Sequence, residues 1–323
     1  MALPDFVVIG APDAGTLSLH TALARHRGLV MSAPAEPGFF LAEGSSPAPA
    51  GAPAAGLEAQ PADLEPQPAD SAEALAGEAL VRCQPEYEAL FPGNDQRPRG
   101  ESTPYYLADF PAQRRMHELL PYLRMIAVLR DPVERAYANW LAQRRAGLEP
   151  LPSLVTALDA EEARRAAGWK RRWRYAEHGR YGLQLRRLYT LFPPSQVLLV
   201  RYRDLVTQPD SVLREVCAFV RAVDPAAVVR GGARTFVPAV TDPGRGWLGA
   251  ASRPSPDPLA AALAVLRRHL EPGPPPPPGL RARVLDRFVD DIALLAQVTG
   301  CSFDEWLEGG DHPAPTGADG GRA

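Results

Sequence analysis

The chain has 323 residues, of which 46% are hydrophobic, and its formal net charge is −3. This length and composition can bury the core of one large α/β domain, and the weak negative charge does not favour nucleic acid as a partner. The N-terminus lacks the leader of a secretory signal and no stretch approaches about 20 apolar residues, so we expect a cytoplasmic protein without a membrane span.

Strand and helix patterns alternate from the N-terminus. Residues 6–9 predict a buried strand of a parallel sheet, residues 16–25 have helical leucine spacing, and residues 29–31 predict a second strand. This order opens a doubly wound fold. Residues 42–80, rich in Ala, Pro, Glu and Gly, predict an insertion without regular structure.

The same alternation continues to the C-terminal region. Residues 123–129 predict a buried strand, followed by a helix that begins near Val133. A further strand is predicted at 197–200, helices at 181–191, 211–220 and 286–298, and a loop at 231–258. We therefore expect a P-loop-like, three-layer α/β fold with a central parallel sheet flanked by helices. It would form one domain over residues 1–307, followed by a disordered tail over 308–323.

The turn after the first strand has the outline of a phosphate-binding loop. Gly10 and Gly15 are five residues apart, and Thr16 follows, as in a P-loop without its lysine. Glycine lets backbone N–H groups face phosphate oxygens, and the helix N-terminus adds its unpaired donors and dipole. A plain βα turn would also explain the glycines alone. The predicted phosphate contacts are Ala14, Gly15, Thr16, Leu17 and Ser18.

Four blocks resemble, in order, the motifs of the sulfotransferase family, whose donor is 3′-phosphoadenosine 5′-phosphosulfate (PAPS). They are the loop block at 6–16, Glu-Pro-Gly-Phe-Phe at 36–40, Gly-Glu-Ser-Thr-Pro-Tyr-Tyr-Leu at 100–107, and Leu-Arg-Asp-Pro-Val-Glu-Arg-Ala-Tyr-Ala-Asn-Trp at 129–140. The resemblance covers about residues 5–307. It implies transfer of a sulfuryl group from PAPS to a hydroxyl or amine of a small-molecule or glycan acceptor, without a metal.

The resemblance also assigns residue roles. Arg130, at a predicted strand end, would hold the 3′-phosphate bidentately, unless it only pairs with a neighbouring glutamate. Ala138 takes the place of a serine that adds a hydroxyl to this phosphate. Glu36 would be the general base, unless it is a solvated loop carboxylate, and its usual histidine companion is Gly38. Tyr181 would be a donor-site or packing residue.

The family's loop lysine falls at Asp13. A carboxylate beside a phosphate is repulsive, and in a partly dry site the repulsion costs several kcal/mol. Asp13 could instead cap the following helix. An active sulfotransferase and a catalytically impaired, nucleotide-binding relative both remain open. A P-loop kinase or NTPase, with Asp131 as a magnesium ligand, fits less well because ATP carries more charge to neutralise.

Three other features of the sequence concern the surface, the core and metal binding. The run 164–174 predicts a basic helix with Trp169 and Trp173 on one face, either as a lip that attracts an acceptor or as a packed helix. Glu101 is predicted to lie in a buried turn. Neither the cysteines nor the histidines have metal-ligand spacing, so no metal is predicted. No feature of the sequence indicates the oligomeric state.

Overall fold

The computed structural model describes residues 3–42, 81–93, 95–221, 258–270 and 273–308. Within them, five strands form one sheet: β1 Phe6–Gly10, β2 Val30–Met31, β3 Arg99–Ser102, β4 Arg124–Leu129 and β5 Val197–Arg201. The strand order is β2–β3–β1–β4–β5, and every pairing is parallel. The predicted α/β fold with a central parallel sheet is therefore confirmed.

Helices flank this sheet, as expected for parallel strands joined by crossovers. In chain order they are α1 Thr16–Leu23, α2 Gln84–Ala89, α3 Phe110–Leu119, α4 Pro132–Arg145, α5 Leu154–Asp159, α6 Glu161–Ala166, α7 Tyr181–Leu188, α8 Tyr202–Thr207, α9 Pro209–Phe219, α10 Pro258–His269, α11 Leu280–Val284, α12 Val289–Thr299 and α13 Glu305–Glu308. No helix in these ranges is long and apolar enough to cross a bilayer.

The two central strands explain why the sequence shows continuous apolar runs. The residues of β1 are all buried, and in β4 only the first residue is partly accessible. Both faces of a parallel sheet are covered by helices, so neither face favours polar side chains. Because β1, β3 and β4 are neighbours, the residues that follow them meet at one edge of the sheet.

Helix α4 begins sharply after β4. The Asp131 carboxylate accepts a hydrogen bond from the Glu134 backbone N–H at 2.9 Å, and Pro132 occupies the first turn, where no N–H is needed. This cap fixes the direction in which the chain leaves the strand. The preceding residue, Arg130, is thereby held at the sheet edge.

Two local predictions were wrong. Glu101 lies in β3 and not in a turn. The basic run does not form one helix: α6 ends at Ala166, and only a short 3₁₀ turn follows at Arg171–Trp173. Gly168, with φ of 76°, interrupts the helix because this left-handed backbone conformation is incompatible with helix continuation.

Three predicted segments fall largely on undescribed residues. Positions 43–80 of the insertion, 231–257 of the predicted loop and 309–323 of the predicted tail lie outside the described ranges. Glu308, which the sequence placed in the tail, is the last residue of α13.

Candidate functional site

The glycine loop after β1 contains two residues with left-handed backbone. Asp13 and Gly15 are both left-handed, with φ of 61° and 82°, and α1 begins at Thr16. A Cβ at Gly15 would lie 2.9 Å from Leu270 Cδ1, so space as well as conformation favours glycine. No side chain caps α1. Its first-turn N–H groups therefore have no side-chain acceptor and can face an anion.

The side chains of the loop differ in their exposure to solvent. Ala14 and Thr16 are buried, while Leu17 is more than half exposed. The Ser18 hydroxyl donates to the backbone carbonyl of His269, at the end of α10, over 3.0 Å. The Ser18 hydroxyl is thus engaged by a neighbouring helix.

Arg130 contacts the loop directly. Its Nη1 donates to the Asp13 carbonyl over 3.1 Å, and its guanidinium lies 4.5 Å from the centre of the Tyr202 ring. Its Nη2 is 3.8 Å from a carboxylate oxygen of Glu134. The strand-end arginine and the loop therefore share one corner of the site. A phosphate at Arg130 would compete with Glu134 and the loop carbonyl for the guanidinium.

Tyr181 and Ala138 lie close to this corner. The buried Tyr181 hydroxyl donates to the Arg130 backbone carbonyl over 2.9 Å, and its ring packs near Trp306. Tyr181 therefore holds the strand end in place, and its role at the donor stays a prediction. Ala138 lies on α4, half-buried, and its methyl group offers no hydrogen-bond donor.

The Asp13 carboxylate is not isolated from positive charge. Burial raises its pKa, while the charges of Arg135 and Arg130 oppose that rise. Arg135 is fully buried and donates to the Tyr175 carbonyl, but its Nε and Nη1 have no hydrogen-bond partner among the described residues. The structure shows it as a counter-charge to Asp13.

Glu36 lies on the segment that runs beside β3. The Ser102 N–H donates to the Ala35 carbonyl over 3.0 Å, and the Gly38 N–H donates to the Thr103 hydroxyl over 3.2 Å. Gly38 has φ of 63°, which favours glycine at this position. Burial and the charge of Asp13 raise the pKa of Glu36 to about 7. A carboxylate with this pKa can accept a proton effectively near neutral pH.

A second carboxylate, Glu101, is fully buried next to Glu36. It accepts hydrogen bonds from the Thr103 hydroxyl at 2.8 Å and the Tyr87 hydroxyl at 3.0 Å. Burial nevertheless raises its pKa to about 7, against these hydrogen bonds and with a contribution from the charge of Glu36. The charge of Asp13 therefore acts on Glu36, and the charge of Glu36 acts on Glu101. The sequence identified the first two as site residues and classed Glu101 as structural.

Replacing Glu101 by glutamine should make stability less dependent on pH. The raised pKa means that folded Glu101 holds a proton between pH 4.5 and 7 that the unfolded chain has released, so the free energy of unfolding falls as pH rises through this window. Between pH 5 and pH 8, the free energy of unfolding of Glu101→Gln should therefore rise by roughly 2 kcal/mol relative to that of the unchanged protein. Urea unfolding of both proteins at the two pH values measures this difference.

The pH dependence of Glu101→Gln must be compared with that of the unchanged protein, because two histidines change the free energy of unfolding in the opposite sense. Burial lowers the pKa of His20 to about 4 and that of His178 to about 3, so both favour folding more as pH rises through 6.5. They are present in both proteins and cancel. An equal pH dependence for the two proteins would show that Glu101 is not proton-linked to folding.

The basic run is mostly bound within the protein. Arg164 forms a buried ion pair with Glu149, with N–O distances of 2.7 and 2.9 Å, and lies over Trp169 at 4.4 Å. Trp169 and Trp173 pack edge to face with ring centres 5.1 Å apart. Both rings are buried. This favours the packed-residue alternative over a solvent-facing lip.

Asp131 has a structural position. It is fully buried, and its second oxygen lies 2.5 Å from Arg281 Nη2 while the first caps α4. Both oxygens are therefore occupied by protein donors. Asp131 is poorly placed to ligate the magnesium ion of a kinase or NTPase.

Comparison with known proteins decides the family. A family model described as "Sulfotransferase family" matches residues 4–223, which include the loop, Glu36, Arg130 and Tyr181. The chain belongs to the sulfotransferase family. A curated relative, the mouse (Mus musculus) bifunctional heparan sulfate N-deacetylase/N-sulfotransferase 3, is 29% identical over 123 residues. That match covers 37% of this chain and 14% of the relative, so it bears on one part of that protein only.

A solved structure supports the sulfotransferase fold over nearly the whole chain. The sulfotransferase from Alicyclobacillus acidocaldarius superposes with a TM-score of 0.66 and 23% sequence identity, covering 95% of this chain and 100% of that one. At this identity the likeness shows the fold. The assignment of individual residues in this sulfotransferase depends on the geometry described above.

Proposed function

We propose that this sulfotransferase binds PAPS between the glycine loop and Arg130 and moves its sulfuryl group to a hydroxyl or amine of a small-molecule or glycan acceptor. The observation that carries the proposal is the contact between Arg130 and the loop, 3.1 Å from Nη1 to the Asp13 carbonyl. Groups that bind the 5′ and 3′ ends of one nucleotide must lie within reach of the same molecule, and this contact is consistent with that requirement. We also propose a cytoplasmic location.

Each part of the site has a role in this proposal. PAPS supplies an activated sulfuryl group when it is bound. The N–H groups at the start of α1 bind its 5′-phosphate, and Arg130 binds its 3′-phosphate with a planar guanidinium that suits two oxygens. Tyr181 holds the Arg130 backbone in place. Glu36, with its raised pKa, takes the proton from the acceptor as the acceptor oxygen or nitrogen attacks.

Asp13 supports a second candidate function, a nucleotide-binding protein with impaired sulfuryl transfer. Negative charge develops on the leaving phosphate, and a catalytic site usually places a cation there. Here the loop residue is a carboxylate, and Ala138 provides no hydroxyl. Arg135 balances Asp13 but is fully buried beneath the surface. Both candidate functions keep the fold and the proposed nucleotide site at the glycine loop and Arg130.

Thermal unfolding with added nucleotide tests donor binding without requiring turnover. We expect 3′-phosphoadenosine 5′-phosphate (PAP) to raise the melting temperature, because a ligand at about 100 times its Kd adds about 2.7 kcal/mol of stability. ATP with magnesium should have a smaller effect, since it has no 3′-phosphate for Arg130. A larger shift with ATP, or none with PAP at millimolar concentration, would contradict the proposed donor.

A further inference from the structure

A hydrogen-bond network joins the end of β3 to the Glu36 turn, which comprises residues 36–41. Its centre is the Glu101 carboxylate, which is fully buried and accepts from the hydroxyl groups of Tyr87, Thr103 and Tyr106. An ionised carboxylate can accept from all three because it has about four lone-pair sites. Burying a carboxylate is costly, so a residue that only packed here would be apolar. The carboxylate therefore serves the hydroxyl groups around it.

Two of the three hydroxyls also bind the Glu36 turn. The Thr103 hydroxyl accepts from the Gly38 N–H over 3.2 Å, and the Tyr106 hydroxyl accepts from the Phe40 N–H over 3.3 Å. A hydroxyl has one proton, and both residues use it on Glu101, so their lone pairs are left for the N–H groups. Glu101 thus sets the direction of both hydrogen bonds to the turn.

The third hydroxyl does not reach the turn. Tyr87 donates to Glu101 over 3.0 Å, and its contact with the Glu36 turn is made by its ring, which stacks on Phe39 with the ring centres 4.3 Å apart. Phenylalanine at position 87 would keep this stacking and lose only the hydrogen bond to the carboxylate. The chain therefore offers a matched control for the two hydroxyls that do bind the turn.

The backbone holds Glu36 from its other side. The Ser102 N–H donates to the Ala35 carbonyl over 3.0 Å, so the residue before Glu36 is bound to the end of β3. Pro37 follows Glu36 and has a fixed φ, and the next residue is Gly38, which is bound to the network. Glu36 therefore lies between two anchored positions and can move only a little relative to β3.

We propose that Glu101, Thr103 and Tyr106 are positioning residues that hold Glu36 where it can take the proton of the acceptor. They do so by fixing the backbone two and four residues beyond Glu36. A displacement of about 1 Å at a catalytic group can reduce the rate by roughly 100-fold, so a small loosening of the turn has a measurable effect. The catalytic consequence rests on the proposed function, whereas the ordering of the turn does not.

Thr103→Val and Tyr106→Phe each remove one hydroxyl between Glu101 and the Glu36 turn. At pH 8, kcat for sulfuryl transfer should fall roughly tenfold or more in each variant. KM for PAPS and the affinity for PAP should stay unchanged, because neither variant touches Arg130 or the glycine loop. Tyr87→Phe takes a hydroxyl from the same carboxylate but keeps both bonds to the turn, so its kcat should equal that of the unchanged protein.

Hydrogen exchange measures the turn directly and needs no turnover. The Gly38 amide should exchange roughly tenfold faster in Thr103→Val, and the Phe40 amide in Tyr106→Phe, since each loses its acceptor. Tyr87→Phe should leave both rates unchanged. The amides of β4 should exchange at the same rates in all of these proteins, which checks that the fold is intact. Mass spectrometry with fragmentation to single residues gives the individual rates.

The outcomes separate the positioning role from the proposed function. Unchanged exchange in Thr103→Val and Tyr106→Phe, or the same acceleration in Tyr87→Phe, would overturn the ordering of the turn by this network. In a protein that transfers sulfuryl groups, an equal kcat in all variants would overturn the positioning of Glu36. Faster exchange at the expected amides in a protein that transfers none supports the ordering of the turn, and only the proposed function then fails.

Discussion

Asp13→Lys should raise the rate of sulfuryl transfer by about 100-fold, the size of effect that a single donor at a developing negative charge has in other enzymes. The change replaces a repulsive carboxylate with a cation beside the leaving phosphate. It also removes the charge that helps to raise the pKa of Glu36, so the base is ionised at lower pH. The measurement is PAP release from PAPS with a panel of phenols and amino sugars as acceptors.

Asp13→Asn is the matched control for this change. Asparagine tolerates the left-handed backbone at this position and keeps the side-chain shape, but it adds no cation. It should give an intermediate rate and move the ascending limb of the pH–rate profile to lower pH. Lysine at 13 would meet Arg130 and Arg135 without a counter-charge, so some loss of stability is expected. An aspartate protein that already turns over well and is slowed by lysine would refute the repulsion argument.

Arg130→Gln should weaken PAP binding by roughly 100-fold. The change removes two charge-assisted hydrogen bonds to the 3′-phosphate, and each contributes about 1.5 kcal/mol at the lower end of the usual range. The same change removes the Nη1 contact to the Asp13 carbonyl and the ring contact with Tyr202. The thermal shift produced by PAP should therefore nearly disappear. Titration calorimetry gives the affinity directly.

The chain offers a close control at the end of the adjacent strand. Arg201 ends β5, lies over Phe303 at 4.6 Å and pairs with Glu305, so it has the same kinds of contact as Arg130 but does not touch the loop. Arg201→Gln should reduce stability without reducing PAP affinity. Similar losses of affinity in both variants would mean that Arg130 acts only through the fold.

The fold could be predicted because its signals are local. The runs in β1 and β4 are buried on both faces, and such strands have no polar positions to interrupt the pattern. The glycine loop was also predictable, since left-handed backbone and close packing at Gly15 both require a residue without a side chain. Strand β3 was harder to recognise. Its four residues, Arg-Gly-Glu-Ser, carry polar groups whose partners come from elsewhere in the chain.

The electrostatics of the site required the tertiary structure. The sequence predicted repulsion at Asp13 but could not show that Arg135, from α4, acts on the same carboxylate. Nor could it show that Asp13 in turn raises the pKa of Glu36, since the two residues lie on separate segments.

By itself, the sequence determined the α/β architecture and the family resemblance, because both are carried by residue type and spacing along the chain. The tertiary structure decided which charges face one another. It brought Arg130 to the loop and left Asp131 capping a helix. Charge interactions depend on distance and burial in three dimensions, and neither quantity can be read from spacing.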